Sequence, residues 1–138
     1  MPLTVKPAAA GAATAALPAA DITITLQNYA FALSTPITAG KHVFSVKTQP
    51  GQPHEVEIFK LAAGKTQDDL FKWMEGKMDS PPPLEAVLAG VAATKNGVDA
   101  RFTADFTPGD YLLVCFLPDA ADGKPHFMKG MVQAIKVS

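Results

Sequence analysis

The chain has 138 residues, 48% of them hydrophobic and 18% charged, which is one domain's length and enough for a core without covalent staples. Its formal net charge of −1 excludes the basic surface that a nucleic-acid backbone or an acidic lipid sheet demands. The single cysteine, Cys115, excludes an internal disulfide, and no apolar run reaches the length of a membrane span.

Residues 1–20 are rich in Ala, with Pro, Thr and Gly, and lack the basic start and apolar middle of an export signal. They read as a flexible tail ahead of a single domain over 21–138. Ile22, Ile24 and Leu26 alternate with Thr23, Thr25 and Gln27, the period of a half-buried strand. Asn28-Tyr29 interrupts the pattern, and Ala30 to Leu33 predicts a second short strand. His42 to Thr48 is a third. After the turn Gln49 to Pro53 comes a fourth, His54 to Leu61, with Val56 and Ile58 on one face and Phe59 and Leu61 on the other.

The period then changes. Leu70, Phe71 and Met74 form a helical stripe between Thr66, a cap residue at its start, and Gly76, a stop at its end. This stripe is expected to pack over an end or side of the strands. Pro81-Pro82-Pro83 breaks regular structure, and Leu84 to Leu88 predicts the start of a second short helix ending near Gly90. Residues 62–96 therefore read as a helical insert between two groups of strands. Strands resume over Val98 to Phe106 and, after the turn Pro108-Gly109-Asp110, over Tyr111 to Leu117, which is almost wholly apolar and reads as a central core strand. A polar loop, Pro118 to Lys129, precedes the last strand, Met131 to Val137. About seven short strands punctuated by turns predict an all-β sandwich with a small helical insertion.

Four side chains carry the chemistry: His54, Cys115, His126 and Met131. Two imidazoles and a thiolate form a trigonal nitrogen–sulfur set that a distant thioether can cap, which is the donor set of a type 1 copper centre. A sandwich can gather the strand ends that bear them at one pole, leaving one imidazole edge near solvent as an electron port. Met128 lies too near His126 to replace Met131, and His42 reads as structural or exposed. Asp119, Asp122 and Glu57 read as ordinary solvated acids, with a carboxylate patch on the loop as the alternative for Asp119 and Asp122. Zinc accepts the same His and Cys donors; the strand-separated spacing and the methionine favour copper. A Cys–His nucleophile pair fits poorly, because Cys115 ends an apolar strand and not an exposed helix start. No phosphate-binding glycine loop is present.

Pro53-His54, the turn Pro108-Gly109-Asp110-Tyr111 leading into Leu112-Leu113-Val114-Cys115, and His126 followed by Met131 resemble the plastocyanin/azurin group of blue copper proteins, the cupredoxins. The resemblance spans roughly residues 22–137 apart from the insert. It implies a Greek-key β-sandwich, one copper ion held by His54, Cys115, His126 and Met131, and transfer of single electrons between redox proteins, in the periplasm or otherwise outside the cytoplasm. It implies a carrier with no small-molecule substrate, soluble or held loosely at a membrane through its partners, which would meet a small apolar patch near His126. Two rival readings keep the scaffold: a copper chaperone or sensor, and a metal-free structural or interaction domain.

The sequence departs from the family twice. Ten residues, Phe116 to Pro125, separate Cys115 from His126, where the family has only a few; a longer loop costs slowly growing entropy and is expected to shield the metal or shape a partner surface. Glu55 stands where the family often has an Asn that ties the ligand loops together. An ionised carboxylate donates no hydrogen bond, so Glu55 is expected to point away from the cysteine sulfur.

Overall fold

The computed structural model describes residues 15–76 and 78–138. Most of the proposed tail, residues 1–14, lies outside them; residues 15–19 are exposed and have no regular structure. Among the described residues, eight strands form two sheets: β1 (Ile22–Gln27), β2 (Ala30–Leu33), β3 (Gly40–Thr48), β4 (His54–Leu61), β5 (Leu84–Thr94), β6 (Asp99–Phe106), β7 (Gly109–Val114) and β8 (Val132–Val137), with one α-helix, α1 (Gln67–Glu75), and a 3-10 turn at His126–Lys129. The sheet orders are β2-β1-β3-β6 and β5-β4-β7-β8. β1 runs parallel to β3, and every other pairing is antiparallel.

Alternation decides what each face buries. Ile22, Ile24, Leu26, Phe44 and Val46 meet Val56, Ile58, Tyr111, Leu113 and Cys115 in the core between the sheets. The other face of the second sheet is apolar too, which is why β7 lacks alternation: Leu112 and Val114 join Leu61 and Leu70 in a second cluster under α1. The helix begins as expected. Thr66 accepts from the Asp69 N–H while the Asp69 side chain takes the Thr66 N–H, a complete capping box.

The second half of the insert differs from expectation. Leu84 to Thr94 is not a helix but an edge strand, paired with β4 from His54↔Thr94 to Leu61↔Leu84 through several irregularities. Leu and Ala favour helix locally, but β4 has a free edge beside this segment, and the ladder it offers overrides the local preference. Gly90 shows how close the approach is: a Cβ there would lie 2.5 Å from the Val56 carbonyl oxygen and 3.0 Å from Glu57 Oε2. Gly90→Ala is expected to push β5 off β4 and cost about 1–3 kcal/mol, read as a lowered midpoint in urea unfolding; an unchanged midpoint would show that the edge pairing contributes nothing.

Candidate metal centre

β4 and β7 are neighbours, paired from Glu57↔Val114 to Lys60↔Tyr111, so the start of β4 and the end of β7 fall together. His54 opens β4, and Cys115 is the first residue past β7. The long loop then closes on itself. Pro118 and Pro125 form a bridge, Asp119 N–H donates to the Lys124 carbonyl (2.9 Å), and Gly123 N–H to the Asp119 carbonyl (2.8 Å). His126 thereby returns beside Leu117, its N–H on the Leu117 carbonyl at 2.9 Å, and Phe127 N–H reaches the Cys115 carbonyl at 2.9 Å. Residues 118–125 are a pinched-off excursion, so the loop between the two ligands is short in space although long in sequence.

Gly130 then takes φ +105°, a left-handed conformation that costs glycine nothing. The turn drops Met131 into the core, with its N–H on the His126 carbonyl (3.0 Å) and its carbonyl accepting from Cys115 N–H (3.2 Å). Met131 is fully buried in the same cluster as Cys115, whereas Met128 is 63% exposed. His42 lies elsewhere, bonded through Nδ1 to Asp21 (2.8 Å) and through Nε2 to the Thr38 carbonyl (2.9 Å).

Three sequence-derived residues converge. One donor atom each from His54, Cys115 and His126 lie within 4.8 Å of one another, with residue exposures of 1%, 0% and 0%. His54 Nδ1 is 3.1 Å from His126 Nδ1, which is 3.3 Å from Cys115 Sγ. Asn28 Oδ1 lies 2.9 Å from His54 Nε2; a carbonyl oxygen only accepts, so Nε2 carries the proton and Nδ1 presents a lone pair inward. Two imidazole nitrogens facing each other at 3.1 Å in a dry site can share one N–H hydrogen or hold a cation between them. A separation near 3 Å is also what two nitrogens bound at about 2 Å to one ion present, so the donor set fits a metal.

Burial governs the protonation of all three. Desolvation lowers the His54 pKa, reinforced by His126 and opposed by Asp119. Desolvation lowers that of His126 as well, with Asp119 opposing. It raises the Cys115 thiol, against the backbone N–H groups of Glu55 and Leu117 that point at the sulfur. Both imidazoles are therefore neutral in the metal-free site, and Cys115 keeps its proton until a metal displaces it.

Two solved structures resemble this one throughout. Dithionite-reduced auracyanin from the photosynthetic bacterium Roseiflexus castenholzii superposes with a TM-score of 0.56 at 21% identity, covering 87% of this chain and 99% of its own. Auracyanin B superposes at 0.54 with 18% identity, covering 89% and 93%. Both are cupredoxins. This chain has the cupredoxin fold. No family model matches its sequence, and no curated protein does.

Three features of this cupredoxin fold were not anticipated. Neither imidazole edge reaches solvent: His54 is 1% exposed and His126 0%. The 118–125 excursion folds Asp119 over the ring, and Tyr29 meets it edge-on at 5.6 Å. Asp119 is no solvated acid: it is 4% exposed. Its Oδ2 accepts from Tyr29 OH and from Gln52 Nε2 (2.8 Å), and its Oδ1 from Ala121 N–H (2.9 Å) and Lys129 Nζ (3.0 Å). Glu55, in turn, does tie the ligand segments, by accepting: its Oε1 takes the Phe116 N–H at 2.9 Å, while its own N–H serves the sulfur.

Asn28, Tyr29, Gln52 and Asp119 are thus the residues that sequence reasoning missed. Tyr29 carried one signal, standing with Asn28 in a two-residue break between strands. It adopts φ +64°, which is uncommon for a bulky side chain, and the turn sets both residues over the centre.

Proposed function

We propose that this protein holds one copper ion on His54 Nδ1, Cys115 Sγ and His126 Nδ1, with Met131 as a weak fourth donor, and carries single electrons between redox proteins outside the cytoplasm. The observation that supports this reading above all is the convergence of two inward-facing imidazole nitrogens and one thiol in a site closed to water. Thiolate and thioether suit Cu(I), and imidazole suits both oxidation states; copper in such a set alternates between Cu(II) and Cu(I). The chain's part is to keep the donors fixed. Asn28 holds His54, the Glu55 and Leu117 N–H groups steady the sulfur, and the backbone bonds among Cys115, His126, Phe127 and Met131 lock the loop.

Burial of all three donors leaves a small molecule no approach, which favours a carrier over a catalyst. The likeness to an auracyanin solved in a reduced state supports redox work, and a site outside the cytoplasm follows from the family resemblance. Among the described residues no helix is long and apolar enough to cross a membrane.

The test is to add one equivalent of Cu(II) to reduced, metal-free protein and record the visible spectrum. An intense thiolate-to-copper band, absent in Cys115→Ser, is expected. Weak absorption that the substitution leaves unchanged would overturn copper–thiolate ligation and return the protein to a chaperone or a metal-free interaction domain.

A further inference from the structure

Among the described residues, His126 Nε2 is the one buried side-chain nitrogen or oxygen with no hydrogen-bond partner. Its neighbour is Asp119 Oδ2, at 3.7 Å. That carboxylate is oversupplied with fixed donors: a phenol, an amide, a backbone N–H and an ammonium. Lys129 also meets Asp122 at 3.0 Å and sits 5.4 Å over the Tyr29 ring. A buried carboxylate held by donors from Tyr29, Gln52, Ala121 and Lys129, aimed at the back of a candidate ligand, calls for an explanation beyond loop closure.

We propose that Asp119 is a positioning residue for His126, holding its proton on Nε2 so that Nδ1 points into the centre, and that Asp119 and Lys129 together set the charge that the bound metal feels through this ring. The first half follows from electrostatics. A lone pair on Nε2 would face a carboxylate in a dry site, whereas an N–H there is attracted to it. The second half concerns the metal and rests on the copper reading above. A carboxylate behind a ligating imidazole raises the basicity of the ligand and stabilises Cu(II) over Cu(I). Lys129, 3.0 Å from the other carboxylate oxygen, opposes it. Asp119 is ionised because four donors, one of them an ammonium, are fixed on its two oxygens.

The two halves have separate readouts. In the ¹⁵N-labelled, metal-free full chain near pH 8, long-range nitrogen–proton spectra should show His126 protonated on Nε2 alone, and Asp119→Ala should populate the Nδ1–H form. A wild-type proton on Nδ1, or a spectrum that Asp119→Ala leaves unchanged, overturns the positioning role. In the copper-loaded protein, Asp119→Asn should lower the ratio of Cu(II) to Cu(I) affinity about tenfold, which raises the potential by about 59 mV for one electron. Lys129→Met should move it the opposite way. A merely structural role for the pair would shift both variants in the same direction, and that result, or no shift in either, overturns the charge balance. If Asp119→Asn does not fold, Tyr29→Phe replaces it: loss of one donor leaves the carboxylate less compensated, so the potential should fall as in Lys129→Met, and a rise overturns the proposal. A protein that takes up no copper defeats the reading of function, and the metal-free spectra then decide the positioning role alone.

Discussion

Metal-free protein loses stability as the pH falls from about 7.5 towards 5, and copper-loaded protein, more stable throughout, loses it over the same range. His54 and His126 are buried and neutral, each with a pKa lowered chiefly by desolvation. In the unfolded chain both titrate near 6.5. Above that value neither state binds the protons, and the folded state keeps its full advantage. Below it the unfolded chain gains protons that the folded site refuses, so the unfolding free energy falls with falling pH until the folded pKa values are reached.

Each histidine contributes at most about 1.4 kcal/mol per pH unit, so the two together reach about 2.7 kcal/mol per unit. The first proton to enter also makes the second harder to add, since the rings face each other at 3.1 Å. A metal on both Nδ1 atoms keeps the folded sites from taking protons, so the slope persists, while its binding energy, about 4 kcal/mol when free metal stands a thousandfold above its dissociation constant, raises the whole curve. Urea unfolding of both forms at stepped pH measures this, and His54→Gln should remove close to half the slope. A flat profile between pH 7 and 5.5 in the metal-free protein would mean that the imidazoles are already charged or reach water, contrary to their burial.

Met131 separates packing from ligation. It is fully buried among the core residues, so Met131→Ala should cost about 2–5 kcal/mol whatever its role. Met131→Leu nearly conserves volume and should cost less than about 1.5 kcal/mol. The decisive measurement is the copper spectrum and potential of the leucine variant, which keeps the core and removes the sulfur. If Met131 donates to copper, the thiolate band shifts and the potential changes while the unfolding midpoint barely moves. If Met131 is core alone, the spectrum stays that of the wild type.

Much of this architecture is legible in the chain before any coordinate is known. Period-two patterns mark β1, β4 and β6 because each buries an inner face against the opposite sheet. The uninterrupted apolar run of β7 marks a strand covered on both sides, by the other sheet and by α1. Thr66 and Asp69 announce the start of α1 because a capping box is a contact between residues three apart, complete within its own segment. His54, Cys115 and His126 stand out as a metal set by residue type and by their places at strand ends, and the structure brings those three together.

What the sequence by itself determined was therefore what local periodicity and chemical type encode: the sandwich, the helix and three converging donors. Tertiary structure alone decided the rest, because each remaining feature depends on a neighbour distant in the chain. Residues 84–94 became a strand because the free edge of β4 lay beside them. The ten residues after Cys115 became a closed excursion because Pro118 and Pro125 met, which returned His126 to Leu117. Asp119 became a buried anion because Tyr29, Gln52 and Lys129, separated from it by up to 90 positions, all turn their donors towards it. Charge in a linear sequence carries no sign of whether water or four fixed donors will surround it; only the packing of loops at one pole of the sandwich settles that.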